Sequence, residues 1–419
     1  MSTVGIEAAP QPEIASATSA PPASSRLMSV DALRGFDMFW IIGAGAIVTA
    51  LEKMSGNPVT TFLATQLTHV KWEGFHFYDL IFPLFLFIVG VSLVFSLDKA
   101  FAEGGRPRVL WRVFRRSVLL FALGIFYYGG LSKPWPDVQL GGVLHRIAAC
   151  YFLAALTYTF VRSVKGLLAV CAALLIGYWL LVTFVPFPDL RLDETTVKAI
   201  AKRIGSDSPF AIAGVVNERV SGSYEEGRNL TNFLDFLFLP GKKAQLYYIN
   251  EGLLSTLPSV ALSLFGALAG LLFKNRSIAP EKKIAWLLGA GAASIALGLL
   301  WSLQFPLIKR IWSSSFILVA GGYSAMLMAA FYWIVDVKQW RTWCQPFVWI
   351  GCNALTIYVV AQVVGFQTLA GRFVGGDVKN FLDAHVTKGF GGLVVALGGL
   401  LLAVLLTRFL FKRQIFLRV

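Results

Sequence analysis

Residues 66–90 read QLTHVKWEGFHFYDLIFPLFLFIVG. From Tyr78 onward the stretch is apolar, with Asp79 as its one charge. A run of about 20 such residues is long enough for a helix to cross the hydrocarbon of a bilayer. Lipid offers the backbone no hydrogen-bond partners, so a run at that depth must satisfy its own and be helical. The half before it is the reverse. His69, Lys71, Trp72, Glu73, His76, Tyr78 and Asp79 crowd into a few positions, more chemistry than a plain turn needs.

Working outward, apolar runs recur along the chain, and ten spans are expected near 33–51, 78–97, 109–129, 142–162, 166–186, 252–273, 284–304, 313–335, 346–367 and 390–411. Only Ser163, Val164 and Lys165 separate the fourth from the fifth, which predicts a tight helical hairpin. Hydrophobic residues make up 56% of the 419 and charged residues 14%, against about 45–50% and 25% in soluble domains. The mean hydropathy is +0.67. The expected class is an all-α polytopic integral membrane protein with about 10 transmembrane helices. Strands alternating at roughly ten-residue spacing are absent, which argues against a barrel. A soluble enzyme, a nucleic-acid binder and a disordered scaffold are excluded as primary readings. The net charge of +14 sits at span ends, which suits sidedness and anionic lipid rather than DNA.

Ten spans put both termini on one side. With the amino terminus inside, inner segments and span ends carry 20 Lys and Arg while short outer loops carry 9. The charge rule then expects cytoplasmic termini. Residues 1–25 hold no Lys or Arg, unlike a secretory signal, and read as a disordered cytoplasmic tail. Residues 26–419 form the transmembrane domain. Within it, 188–251, with nine acidic and eight basic residues, is too long for a connector. A small extracytoplasmic cap with short helices is expected there. The cysteines Cys150, Cys171, Cys344 and Cys352 lie in apolar runs without C-x-x-C spacing, so no disulfide framework or thiolate metal site is indicated.

Ionisable groups in lipid are costly unless paired or wet, so each is a functional candidate. Asp31 and Arg34 have the spacing of a helical pair, and Asp37 lies deeper. In the 66–90 cluster, histidine is the side chain suited to moving protons near neutral pH. Three readings compete there. One is a metal bound by His69, Glu73 and His76 at helical spacing, which Gly74 weakens; another is an interfacial loop with Asp79 as a helix cap; the third is His69 as general base or acid. Arg146, one turn into the fourth span, either snorkels outward or meets an anionic or carbonyl group. Glu251, Trp312 and Asn353 are further polar positions at span ends or within spans, open to helix packing or to binding.

Six stretches occur in order: RLMSVDALRGFDMFW, HVKWEGFHFYDLIFPLFLFIVGVSL, GVLHRIAACYF, EGLLSTLPSVALSLFGALAG, IWSSSFILVAGG and GCNALTIYV. In this the chain resembles the membrane domain of the heparan-α-glucosaminide N-acetyltransferase family, from Arg26 onward. The resemblance implies acetyl transfer across a membrane, from cytoplasmic acetyl-CoA to an amino sugar on the far side. It implies that His69 is the catalytic histidine, Asp79 its carboxylate and Arg146 the arginine of the third motif. The animal enzyme's extra amino-terminal luminal domain and first span are expected to be missing here. Two positions depart from the pattern as aligned: Gly45 replaces an asparagine, and Ala361 followed by Gln362 replaces a histidine.

The expected activity is an acetyl-CoA-dependent N-acetyltransferase without a metal. His69 and Asp79 are the catalytic candidates. Arg34, Arg146 and Asn353 are candidates for holding acyl-CoA, and Trp72, Glu73, Glu251 and Trp312 for holding a small amino sugar or glycan end. Multiple phosphates need counter-charges, which the inner face offers in Arg34, Arg112, Arg115, Arg116, Arg162 and Lys165. The lipid bilayer is the other expected partner, nucleic acid is not one, and a homodimer is left open. The alternative is an inner-membrane transporter of N-acetylglucosamine or a related sugar. Such transporters often show internal repeats and midplane sites; this chain shows no repeat, and its polar clusters lie toward the outer mouth.

Overall fold

A computed structural model describes residues 27–55 and 58–417. The expected tail at 1–25 lies outside the described residues. The chain is helical almost throughout. Met28–Phe39 (α1) passes through a π-helical turn at Trp40–Ala44 into Gly45–Ser55 (α2), and Pro58–Gln66 (α3) follows. Phe77–Tyr127 (α4) leads to Val143–Phe160 (α5) and Val164–Phe184 (α6). The segment after α6 forms a two-stranded ribbon, Phe187–Pro188 (β1) against Arg219–Val220 (β2), and short helices Glu194–Ile204 (α7), Pro209–Gly214 (α8) and Leu230–Phe238 (α9). Then come Thr256–Lys274 (α10), Pro280–Trp301 (α11), Ser314–Phe331 (α12), Gln345–Cys352 (α13), Ala354–Val364 (α14), Phe366–Val374 (α15), Gly376–His385 (α16) and Phe390–Lys412 (α17).

Among the described residues, eight helices are long and apolar enough to cross a membrane, and the bent pair α13–α14 makes a ninth span. Two of the sequence-expected spans lie in one of these. Helix α4 has 51 residues and is broken at Gly104 and Gly105, where Gly105 has φ +64°, a conformation that glycine adopts without strain. At 1.5 Å per residue an unbroken helix would be about 76 Å long, more than twice the hydrocarbon thickness. Residues of both arms line one cavity, so the break folds the chain back and the arms serve as separate spans. The hairpin at Ser163 is present, with the Ser163 side chain accepting from the Gly166 N–H. The ninth expected span differs from a plain helix: it bends by 80° at Asn353. The segment between it and α17 forms α15 and α16 rather than a plain loop.

Without a hydrophobic force between helices in lipid, close approach at small residues holds the bundle. Helices α4 and α10 cross backbone to backbone: a Cβ on Gly90 would lie 1.8 Å from the Ser263 carbonyl oxygen, and one on Gly266 1.9 Å from that of Phe87. Helices α1 and α13 meet the same way at Gly35 and Gly351. The 188–251 segment has a core of its own, built on Leu190, Leu192, Val197, Ile212, Phe236 and Tyr248. It is anchored to the bundle where Tyr178 of α6 meets Thr231 at 3.1 Å.

Candidate active site

The polar loop after α3 is pinned before α4 begins. Asp79 is the third residue of α4, and its Oδ2 accepts the backbone N–H of His76 at 3.1 Å and of Val70 at 3.3 Å. This caps the helix and closes the loop on itself. The loop is also fastened across the molecule. Gly74 N donates to Leu307 O at 2.9 Å, Glu73 bridges to Ile308, and Trp72 Nε1 donates to Tyr224 O at 2.8 Å. Trp72 and Glu73 are therefore straps to the 302–313 turn and the 188–251 segment, and neither lines the cavity. His76 Nδ1 contacts the Thr68 carbonyl at 3.0 Å. His69, Glu73 and His76 follow no helix. Among the described residues, no group of three or more His, Cys, Asp and Glu is arranged to hold a metal ion.

Held this way, His69 Nδ1 lies 2.9 Å from Asp79 Oδ1, with the Tyr78 ring 4.9 Å from the imidazole. The His69 side chain is 53% exposed and that of Asp79 1%. That asymmetry divides the roles. The imidazole can meet a substrate and the carboxylate can only orient it. With Nδ1–H donated to Asp79, Nε2 keeps its lone pair for the cavity. A third group completes the cluster: Lys309 Nζ lies 3.2 Å from Asp79 Oδ1 and 3.0 Å from His69 Nδ1. Burial lowers the pKa of Lys309, while Asp79 and Glu251 work against that shift. Burial raises that of Glu251, against Arg146 and Lys309.

These residues sit at one end of a cavity of about 970 Å³. Glu251, Asn250, Arg310 and Trp312 line it near His69; Arg34, Ser92, Ser96, Lys99, Arg112 and Arg116 line it farther along. Asp79 and Lys99 lie 20 residues apart on one arm of α4, about 30 Å of helix and close to the hydrocarbon thickness. The cavity thus runs the depth of the membrane from a His–Asp pair to a basic end. Asn353 lines it at the break between α13 and α14, with its Oδ1 buried and unpartnered. Arg34 bridges three helices, donating to Asp31 at 3.2 Å, to Ser92 Oγ at 2.7 Å and to Gly351 O at 3.5 Å.

Arg146 is brought to a different task. It is fully buried, and its terminal nitrogens donate to Ser255 O at 2.7 Å, Ser255 Oγ at 2.7 Å and Gly252 O at 2.8 Å, as well as to Ser259 Oγ. Its guanidinium stacks 5.2 Å from the Trp312 ring. It fixes the entry to α10, and so the chain carrying Glu251, and it does not line the cavity. Arg162 pairs with Asp98 at 3.5 Å, and neither it, Arg115 nor Lys165 lines the cavity. Asp37 is buried with both carboxyl oxygens unpartnered. Ala361 and Gln362 line a second cavity of about 220 Å³ that shares Ile41 and Tyr358 with the first. Sequence reading singled out neither Lys309 nor Lys99. A cation in a short outer loop, where the charge rule expects few, was the available signal for Lys309.

Fold and site together define a polytopic helical membrane protein with a His–Asp pair at one end of a membrane-deep cavity. Residues 26–193 match the family described as Heparan-alpha-glucosaminide N-acetyltransferase, catalytic. The chain is 28% identical to the human heparan-alpha-glucosaminide N-acetyltransferase over 81% of its own length and 53% of that protein's. It is 25% identical to the mouse protein of that name, over 81% and 54%. The chain spans about half the length of these curated relatives. Over residues 26–193 the chain is thus similar to the heparan-alpha-glucosaminide N-acetyltransferase family.

Proposed function

We propose that the chain is a membrane N-acetyltransferase that moves an acetyl group from cytoplasmic acetyl-CoA to an amino sugar of the glucosamine type on the far side. One observation carries this reading: a single cavity joins the His69–Asp79 pair to the basic end formed by Arg34, Lys99, Arg112 and Arg116. Two half-reactants of opposite character fit its two ends. The phosphates of CoA require several cations, and the far end supplies Arg34, Lys99, Arg112 and Arg116 against Lys309 and Arg310 near His69. The pantetheine arm carries amides that can donate to the unpartnered Asn353 Oδ1. The thioester then reaches His69.

An ammonium has no lone pair, so attack on a thioester needs a base. His69 Nε2 takes the proton, and Asp79, buried and ion-paired, holds the ring and balances the imidazolium. Glu251 supplies a carboxylate at the acceptor end. Transfer proceeds directly between the bound reactants, because an acyl-histidine facing the outer mouth would be open to water. The charge count supports a cytoplasmic basic end and cytoplasmic termini; the membrane proposed is a bacterial inner membrane.

The test uses purified protein in liposomes, with labelled acetyl-CoA outside and a panel of amino sugars inside. N-acetylated sugar in the lumen is expected, only from protein molecules whose basic end faces outward. Sugar uptake with no acetylated product would reject the enzyme.

A further inference from the structure

The outer mouth holds a cation to which acid–base chemistry gives no task. Lys309 lies in the turn between α11 and α12, 240 residues from His69 in sequence. Its Nζ is 3.0 Å from His69 Nδ1, 3.5 Å from His69 Nε2 and 3.2 Å from Asp79 Oδ1, and the side chain is 19% exposed and lines the cavity. Helix capping does not need it, because two backbone N–H groups and the imidazole already satisfy Asp79. An ammonium has three hydrogens. Asp79 takes one, leaving two beside Nε2, where a reacting carbonyl has to stand for the base to reach the attacking amine.

Resting on the acetyl-transfer reading above, we propose that Lys309 is a catalytic residue whose ammonium stabilises the oxyanion formed at the thioester carbonyl. The amine nitrogen bonds to the carbonyl carbon, and the C=O π pair moves onto the oxygen beside Nζ. His69 Nε2, once the ammonium proton it first took has passed to water, takes the N–H proton of the adduct. The C=O bond then re-forms, the C–S bond breaks, and the imidazolium returns the proton to the departing thiolate. Nothing is oxidised or reduced, and Lys309 stays protonated throughout. In the adduct the ammonium and imidazolium offset two of the three negative charges carried by Asp79, Glu251 and the oxyanion. A preorganised donor in a half-dry site is worth more than one in water, because it does not reorganise as charge develops.

The charged and titratable groups facing Lys309 are Asp79 from α4, His69 from the loop before it, Glu251 from the segment before α10, and Arg310 beside it. Burial, helped by Arg310, lowers its pKa against Asp79 and Glu251, so the rate should fall on the alkaline side before the ordinary lysine range is reached.

The experiment uses the full chain, labelled acetyl-CoA and glucosamine, with K309M and K309R. Expected for K309M is a kcat loss on the order of 10²–10³-fold, with near wild-type KM values and thermal stabilisation by CoA. K309R keeps its charge at every working pH and should lack the alkaline fall. A K309M enzyme as fast as wild type overturns the role, and so does a defect carried by KM with kcat kept. Where K309M does not fold, K309R decides: an alkaline limb unchanged from wild type overturns the role. A wild type without transfer overturns the proposed function and this role with it, whereas an active wild type beside an equally active K309M overturns only the role.

Discussion

The two ends of the cavity are built on different physical terms. At the His69 end, the outer one under the proposed function, short side chains are fixed by backbone: Asp79 by the turn it caps, His69 by Asp79, and the loop by straps to the 302–313 turn and to Tyr224. At the basic end, long side chains on helices reach into the cavity, and Arg116 rests its guanidinium 4.6 Å above the Tyr151 ring. Geometry is over-determined at one end and charge is plentiful at the other. Proton transfer requires atoms placed within hydrogen-bond reach, whereas holding phosphates requires positive charge with some freedom of position. Under the proposed function, damage to the outer end should appear in kcat and damage to the basic end in affinity.

Four measurements can break or sharpen that contrast. The largest effect is expected at the outer end. His69→Ala should lower kcat on the order of 10²–10⁴-fold while CoA still raises the melting temperature as in wild type. His76→Ala, which removes a contact to Thr68 O and leaves Asp79 Oδ2 on the His76 backbone N–H, should do far less. Equal losses from both would reduce the site to loop integrity.

At the basic end the pattern should invert. Arg116→Gln should weaken CoA binding about tenfold, as for loss of a charge-assisted hydrogen bond. It should flatten the salt dependence of that binding and leave kcat at saturating CoA near wild type. A fall in kcat with unchanged affinity would erase the distinction between the ends.

The straps are next in size. Trp72→Phe removes the bond to Tyr224 O while keeping an aromatic ring, at a cost of about 1 kcal/mol. A lower melting temperature and a higher KM for the sugar are expected, with CoA binding untouched. Weakened CoA binding would mean that the ends are mechanically coupled.

The smallest effect concerns the segment above the outer end. Burial pushes the Asp235 carboxyl up to about 7; its Oδ1 accepts from Leu253 N at 2.8 Å and its Oδ2 is unpartnered. The folded protein holds this proton more tightly than the unfolded chain, where the value is about 3.9. Its contribution to stability is therefore full below about pH 4 and lost as pH rises through about 7. Asp235→Asn should raise the melting temperature slightly above neutrality and flatten its pH dependence in that window. A slope unchanged from wild type would assign it to another group.

Much of the fold was legible because lipid enforces a simple rule on sequence. A backbone in hydrocarbon must be helical and its side chains apolar, so span positions follow from composition along the chain. The boundary of α4, the hairpin at Ser163 and the folded 188–251 segment all follow from local signals. The bend at Asn353 and the short helices α15 and α16 do not, because apolar runs look alike whether straight or broken.

The sequence by itself determined the helical membrane class and drew attention to His69 and Asp79, since a dense polar cluster beside an apolar run is costly to keep without a use. Only the tertiary structure decided which partners that cluster has. It brought Lys309 across 240 positions to the imidazole, turned Trp72 and Glu73 into straps, and buried Arg146 among the serines of α10 instead of aiming it into the cavity. The reason is the reach of the information. Periodicity and hydropathy act over a few turns of one helix, whereas a hydrogen bond at 3 Å between distant segments depends on how whole helices cross.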